Sequence, residues 1–435
     1  MVEPLIRLPD GTIKQVNPLT GTKVWTLPGR AARPLGLPER HPLPLDPDDH
    51  DRHCAFCWGR MRETTPEIAR LVHDDDRWRY VHGVLADDLD RTVPEFRLIP
   101  NLFEILSYDY WHLAHGWEPT AESLERRTAY LSTPSGREHV TALARIRMRA
   151  RGTAGADAEP LAESDLEREA VGLFAGNHQV VIARRHYVDG ATDDSQLAGS
   201  GTLTPEEHCK YVELTIRAMR DLYSDNGCAR YVSVFQNWLA PAGASFDHLH
   251  KQVVAIDELG AQKEREIKRL RTEPDMFARW GAGYAAEQGL VVARTKHAVA
   301  FAGVGHRYPA LVVHVTDGND CPWELSDDQV RDFSDLVHAC QAATGVHVPS
   351  NEEWHHRPPS VDQPMPLRAV LKWRISTLAG FEGGTKIYVN TIDPWELRRR
   401  TVAELGRLRA AGALADGIRI GDECDPEDAQ LGYAD

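Results

Sequence analysis

The chain has no long apolar run. None approaches the ~18 residues that a membrane span needs. Its opening residues, MVEPLIRLPDG, lack a basic stretch followed by an apolar one, so no secretory leader is expected. Cysteine is scarce: seven among 435 residues exclude a disulfide framework and suit a reducing cytoplasm. Basic charge is in deficit, with 50 Lys and Arg against 65 Asp and Glu and a formal net charge of -15. That balance argues against a nucleic-acid polymer or an anionic membrane as the main partner, while local arginines remain able to cradle a small phosphorylated ligand. The rest of the composition, 42% hydrophobic and 26% charged, is that of an ordinary globular protein.

What is present is organised in two rounds. The first ~50 residues are rich in Pro and Gly and read as an extended arm or edge strands, as in TKVWTL. After CAFCWGR, a short helix is expected following TTPEI, then the strand EFRLI running into PNLFEIL. Residues 110 to about 170 are charged, Arg-rich and read as a helical insertion with a soft stretch at ARGTAGADAEP. HQVVIARRH is a strand, LTPEEHCKYVELTIRAMRDLY a helix capped by Thr204 with Pro205 at its first position, and YVSVFQN and HLHKQVVA are strands. KEREIKRLRTEPD reads as a charged surface helix. Strands, the capped helix ELSDDQVRDFSDLVHACQAATG and further strands then recur, which predicts a duplicated α+β domain.

The chemistry concentrates in AGASFDHLHKQVVA. Alternate residues of a strand point the same way, so His248, His250 and Gln252 share one face. Two imidazoles and an amide there need a metal, a ligand or a hydrogen-bond network. Cys54-x-x-Cys57 has the spacing of half a tetrahedral metal site or of a redox pair, although its flanks are not a thioredoxin-like start; a metal would need two more ligands, and with no second C-x-x-C in the chain, His186 and His248 are the best candidates. A neutral His250 is a competent nucleophile toward an activated phosphoryl group, provided its other ring nitrogen is held. Gln252 can bond a phosphoryl oxygen without adding charge. Gly243 and the GASF backbone, the Ser245 hydroxyl and Asn237 are suited to phosphates, and Arg30 and Arg33 to a second phosphate.

Together these pieces resemble the galactose-1-phosphate uridylyltransferase family, the transferase branch of the histidine-triad superfamily. NPLTGTKVWTLPGRAARP, CAFCWGRMRETTPEI, HQVVIARRH, FQNWLAPAGASFDHLHKQVVA and LAGFEGGTKIYVNTIDPWE match its segments in family order. The resemblance implies two histidine-triad-like domains, about 1–260 (catalytic, with the 110–170 insertion) and 261–435, each an antiparallel sheet with packed helices. It implies a structural zinc ion on Cys54, Cys57, His186 and His248, His250 as the nucleophile that carries the nucleotidyl group, and Gln252 as its hydrogen-bond partner. Asn101 and Phe103 would lie at the nucleoside, Asn237 and Ser245 at phosphates, Arg30 and Arg33 at the sugar phosphate, and Lys372, Phe381 and Glu382 at the sugar. The partners would be a nucleotide sugar and a sugar phosphate, the setting galactose metabolism, the assembly a homodimer. Lys251, where the family has a small residue, Leu102, where it has an acid at the ribose, and WHHRPP in place of a second H-x-H mark a divergent branch.

The expected activity is therefore ping-pong transfer of a nucleoside monophosphate from a nucleotide sugar to a sugar 1-phosphate. An adenylyl-transferring phosphorylase acting on ADP-glucose or diadenosine polyphosphates fits the same residues. A non-catalytic nucleotide binder would have lost His250. Gln252 in place of a third histidine argues against a hydrolase.

Overall fold

A computed structural model describes residues 3–29, 41–46, 50–317 and 321–424. Its frame is one twelve-stranded sheet. From edge to edge the strands are Arg419–Ile420, Val291–Arg294, Ala298–Ala302, Ala310–Val315, Arg368–Trp373, Ser350–His355, Tyr231–Trp238, His250–Ile256, His178–Ala183, Phe96–Pro100, Ala69–Asp74 and Arg77–His82. Every pairing in it is antiparallel.

The duplication expected from the sequence is the symmetry of this sheet. Two six-strand halves meet where Tyr231–Trp238 pairs with Ser350–His355, with Asn237 opposite Asn351. Outward from that seam the first five strands of each half run in the same order; the sixth differs, Arg77–His82 following directly on Ala69–Asp74 and Arg419–Ile420 coming after every other strand of its half. The helices Pro205–Asp225 and Asp327–Thr344 occupy matching positions and pack on each other. Both begin as the sequence predicts: the Thr204 and Ser326 hydroxyls accept from the third helical N–H, while Glu207 and Gln329 reach back to the cap. The two halves are thus fused edge to edge, because each seam strand would otherwise be an unpaired edge.

The N-terminal strands Leu5–Arg7, Ile13–Val16 and Lys23–Thr26 form a second, small sheet, closed by Ile387–Asn390 pairing parallel to Lys23–Thr26. The insertion is helical (Tyr108–His115, Ala121–Leu131, Pro134–Ala150, Glu163–Phe174) around its own apolar cluster of Tyr130, Leu143, Met148, Leu173 and Phe174. The soft stretch expected within it falls in the turns between the last two helices.

Two local expectations are corrected. The segment after Thr64–Ile68 is the strand Ala69–Asp74, not a helix. Arg70 there is fully buried, its guanidinium held by Glu67 (2.6 Å) and by the Leu89 and Thr92 carbonyls, so a residue that reads as solvent-facing points inward. The helix Gly260–Leu270 is not a surface helix throughout. Lys263 and Glu266 are buried, and Glu266 pairs with Arg368 at 2.6 Å and with Lys263 at 3.3 Å. A buried charge is tolerated where an opposite charge replaces water.

Candidate functional site

Sheet register assembles the metal centre. Ile182 stands opposite His250, so the chain leaving His178–Ala183 runs beside the chain entering His250–Ile256, and His186 and His248 meet. Cys54 and Cys57 come from the loop before the Trp58–Glu63 turn. The Sγ···Sγ distance is 3.8 Å, the four Sγ···Nδ1 distances are 3.5 to 3.7 Å, and Nδ1···Nδ1 is 3.3 Å. A tetrahedral ion bonded at about 2.3 Å to sulfur and about 2.0–2.1 Å to nitrogen requires edges of about 3.8, 3.6 and 3.3 Å. The cluster therefore has the size and shape to hold one metal ion, with all four positions filled by protein. The far nitrogen of His248 donates to the Ala183 carbonyl at 2.6 Å, leaving Nδ1 with its lone pair toward the sulfurs. Hydrogen bonding from Cys54 pushes the Cys57 thiol down against the opposing effect of burial, with His186 and His248 adding to it, and Cys54 is pushed up by Cys57 and by burial.

His250 lies two residues beyond His248 and is 5% exposed. Its Nδ1–H donates to the His248 carbonyl at 2.7 Å. That bond fixes the tautomer, so Nε2 carries the lone pair. Burial pushes its pKa down to about 4, only partly opposed by the His248 carbonyl, so the ring is neutral near pH 7. Nε2 has no protein partner among the described residues. His250 lines a cavity of about 520 Å³ with Phe56, Asn101, Phe103, Ser245 and Gln252. Phe56, inside the C-x-x-C, packs against the His250 ring at 5.1 Å, coupling the metal loop to this wall.

Asn101 turns its oxygen to the Phe103 N–H (2.9 Å), and Phe103 presents a ring 57% exposed. Asn237 lies one strand away, in a neighbouring groove of about 380 Å³ with Asn351, Glu353 and Arg374. Phe235 lines that groove and stands opposite Gln252 in the register, so the two hollows are neighbours on one face. Asn237 accepts from Asn351 (2.7 Å), and Asn351 accepts from Arg374 (2.6 Å). Lys372 pairs with Glu353 at 2.6 Å on the same sheet face. Gly243 has φ +91 at the end of the Ala240–Ala242 turn, a conformation that favours glycine. Phe381 and Glu382 sit apart on the helix Gly380–Thr385, Phe381 beside Trp25, and line neither hollow. Arg30 and Arg33 lie outside the described residues.

Two features escaped the sequence reading. One is His178, whose Nε2 is 2.9 Å from Gln252 Oε1. It opens the strand HQVVIARRH, and its alternation with Val180 and Ile182 is the signal that could have placed it facing Gln252. The other is the groove supplied by the second half: Asn351, Glu353 and Arg374. Fold symmetry does not extend to the chemistry. In matching register Arg368 stands where His250 stands and Val370 where Gln252 stands.

The chain matches the model for the domain of unknown function DUF4921 over residues 8–433. It is 22% identical over 398 residues to the ADP-glucose phosphorylase of Arabidopsis thaliana, covering 88% of this chain and 90% of that protein. The crystal structure of an ADP-glucose phosphorylase from that plant, with bound ADP-glucose, superposes with a TM-score of 0.56 at 19% identity, covering 90% of this chain and 97% of that one. A galt-like protein from the same plant superposes equally, with a TM-score of 0.56 at 18% identity, covering 89% and 97%. Among the described residues, no helix is long and apolar enough to cross a membrane. The chain belongs to the DUF4921 family, and it is similar in sequence to an ADP-glucose phosphorylase and in fold to that enzyme and to a galt-like protein.

Proposed function

We propose that this protein transfers a nucleoside monophosphate from a nucleotide sugar to a phosphate-bearing acceptor through a covalent nucleotidyl-His250. The observation that carries this reading is the geometry of His250: Nδ1–H held by the His248 carbonyl, and Nε2, without a partner among the described residues, at a cavity wall. In the first step the Nε2 lone pair attacks the α-phosphorus of the donor. The bond from that phosphorus to the bridging oxygen breaks, and the sugar 1-phosphate leaves with the electron pair. In the second step a phosphate oxygen of the acceptor attacks the same phosphorus, the P–N bond breaks, and His250 is restored. Splitting the transfer in this way needs no base, because the attacking imidazole is already neutral.

The assigned roles follow. Zinc is the ion that Cys54, Cys57, His186 and His248 would hold, and four protein ligands make its role structural. Gln252 bonds the transferred phosphoryl group. Ser245 and Asn237 meet phosphates, and Asn101 and Phe103 wall the nucleoside. Lys372 serves the sugar side. The sugar phosphate contacts given to Arg30, Arg33, Phe381 and Glu382, and the homodimer, are part of the same proposal. The catalytic unit is 1–260.

Phosphorolysis of an adenylyl donor, with inorganic phosphate as acceptor, is the second reading. It is favoured by the similarity to an ADP-glucose phosphorylase over 88% of the chain. One experiment tests both. Wild type and His250→Gly are incubated with UDP-glucose, ADP-glucose or diadenosine tetraphosphate, without acceptor, and weighed intact. An added nucleoside monophosphate on wild type alone is expected, and its mass names the base. Chasing the adduct with galactose 1-phosphate or inorganic phosphate then names the acceptor. An adduct of equal yield on His250→Gly, or none with any donor, refutes the reading.

A further inference from the structure

The orientation of the Gln252 amide is set by hydrogen bonds that start outside the strand carrying it. The backbone N–H of Ile105 donates to His178 Nδ1 at 3.2 Å. A backbone N–H can only donate, so Nδ1 must hold a lone pair and, in a neutral ring, Nε2 must hold the proton. Burial keeps the ring neutral, pushing its pKa down to about 4 against the opposing bond with Gln252. Nε2 lies 2.9 Å from Gln252 Oε1 and 3.0 Å from Asn101 Nδ2. The Asn101 oxygen is taken by the Phe103 N–H, so its NH₂ faces the Nε2–H donor against donor; that side-chain amide can turn aside where the Ile105 backbone N–H cannot, so the Ile105 bond sets the tautomer. The acceptor left is Gln252 Oε1. An amide whose oxygen is engaged offers its NH₂ at the other end. Gln252 Nε2 has no protein partner among the described residues, and Gln252 lines the cavity beside His250.

We infer that His178 is a positioning residue that locks the Gln252 amide with its NH₂ toward the reacting phosphoryl group. This rests on His250 being the nucleophile. The non-bridging phosphoryl oxygens are acceptors. An amide free to turn would offer them either a donor or a carbonyl oxygen, and the second arrangement repels. His178 removes the second arrangement before substrate arrives, so no reorganisation is needed during the transfer. Ile105 belongs to the same turn as Asn101 and Phe103, so the seating of this cavity wall and the orientation of the amide are joined.

Two measurements test the assignment. The first needs no activity: long-range ¹H–¹⁵N correlation of histidine-labelled wild type near pH 7, with His178 assigned by its loss in His178→Phe. The Nε2–H tautomer is expected, and the Nδ1–H tautomer overturns the inference. The second is a double-mutant cycle on the rate of nucleotidyl-His250 formation at saturating donor. His178→Phe should slow it by about 10- to 100-fold, the usual range for a residue that orients another, with donor KM changed less than about threefold. His178→Gln, which can accept from Ile105 and donate to Gln252, should recover most of the loss. His178→Phe placed on Gln252→Ala should cost nothing further. Additive losses, or no recovery in His178→Gln, overturn the inference while wild type still forms its adduct. Absence of the adduct in wild type instead withdraws the reading of His250, and the tautomer measurement then decides the orientation alone.

Discussion

Lys251 separates His250 from Gln252 and points to the opposite face, where it is fully buried. Its ammonium lies 2.5 Å from Glu352 Oε1 and over the rings of Trp354 (4.5 Å) and Tyr211 (4.9 Å). Glu352 also accepts from Trp354 and Gln341, each at 2.6 Å. The pair joins the strand of the candidate nucleophile to the second half of the molecule. Removing one partner leaves a buried charge uncompensated, which costs about 3–5 kcal/mol. Glu352→Gln should therefore lose about that much, and Lys251→Met a similar amount. A chain of 435 residues unfolds with an entropy of about 0.9 kcal/mol/K, so each single variant should melt about 3–6 °C lower. The double variant should lie within about 2 kcal/mol of wild type, because neither charge then remains. Glu352→Gln has a second signature. Burial lowers the Lys251 pKa and Glu352 opposes that shift, so removing Glu352 lowers it further. A folded-state pKa below the unfolded one makes stability rise with pH, so Glu352→Gln should regain part of its loss on going from pH 7 to pH 9. Melting wild type, both singles and the double at pH 7 and pH 9 checks all of this. Single losses below about 1 kcal/mol, or a double loss equal to the sum, would refute the reasoning.

Cys54→Ser should lose bound metal, read by elemental analysis, and melt lower, since a structural ion bound only by the folded state contributes its binding energy to folding. His250→Gly should keep one equivalent of metal while forming no nucleotidyl adduct by mass. Glu104 accepts from the Asn177 N–H at 2.9 Å, and burial pushes its pKa up to about 7. The folded state then holds a proton that the unfolded state releases, so this group's contribution falls as pH rises from about 4.5 to about 7, by roughly 3 kcal/mol. Glu104→Gln should match wild type near pH 5 and melt higher than wild type at pH 8, and equal melting at both pH values would contradict the burial argument.

The alternation of His250 and Gln252, the C-x-x-C spacing and the capped helices were legible because each rests on local geometry: a two-residue strand period, a tight loop, a first helical turn; His248, read as part of the same strand, lies in the bend just before it. The repeated strand–helix order likewise disclosed the duplication. Other features rest on partners far along the chain. Cys54 meets His186 and His248, 132 and 194 residues away, only because Ile182 registers opposite His250. The inward turn of Arg70, Glu266 and Lys251 was hidden for the same reason. A charged residue in one dimension reads as solvent-facing, and only the fold shows that an opposite charge has replaced its water. His178 is the sharpest case, since its proton depends on one backbone N–H of Ile105, 73 residues earlier. The sequence by itself determined which residue types could carry the chemistry and that they repeat on strands. The tertiary structure alone decided which distant residues meet, which charges are buried and which way the Gln252 amide is turned, because register and desolvation are properties of the packed sheet.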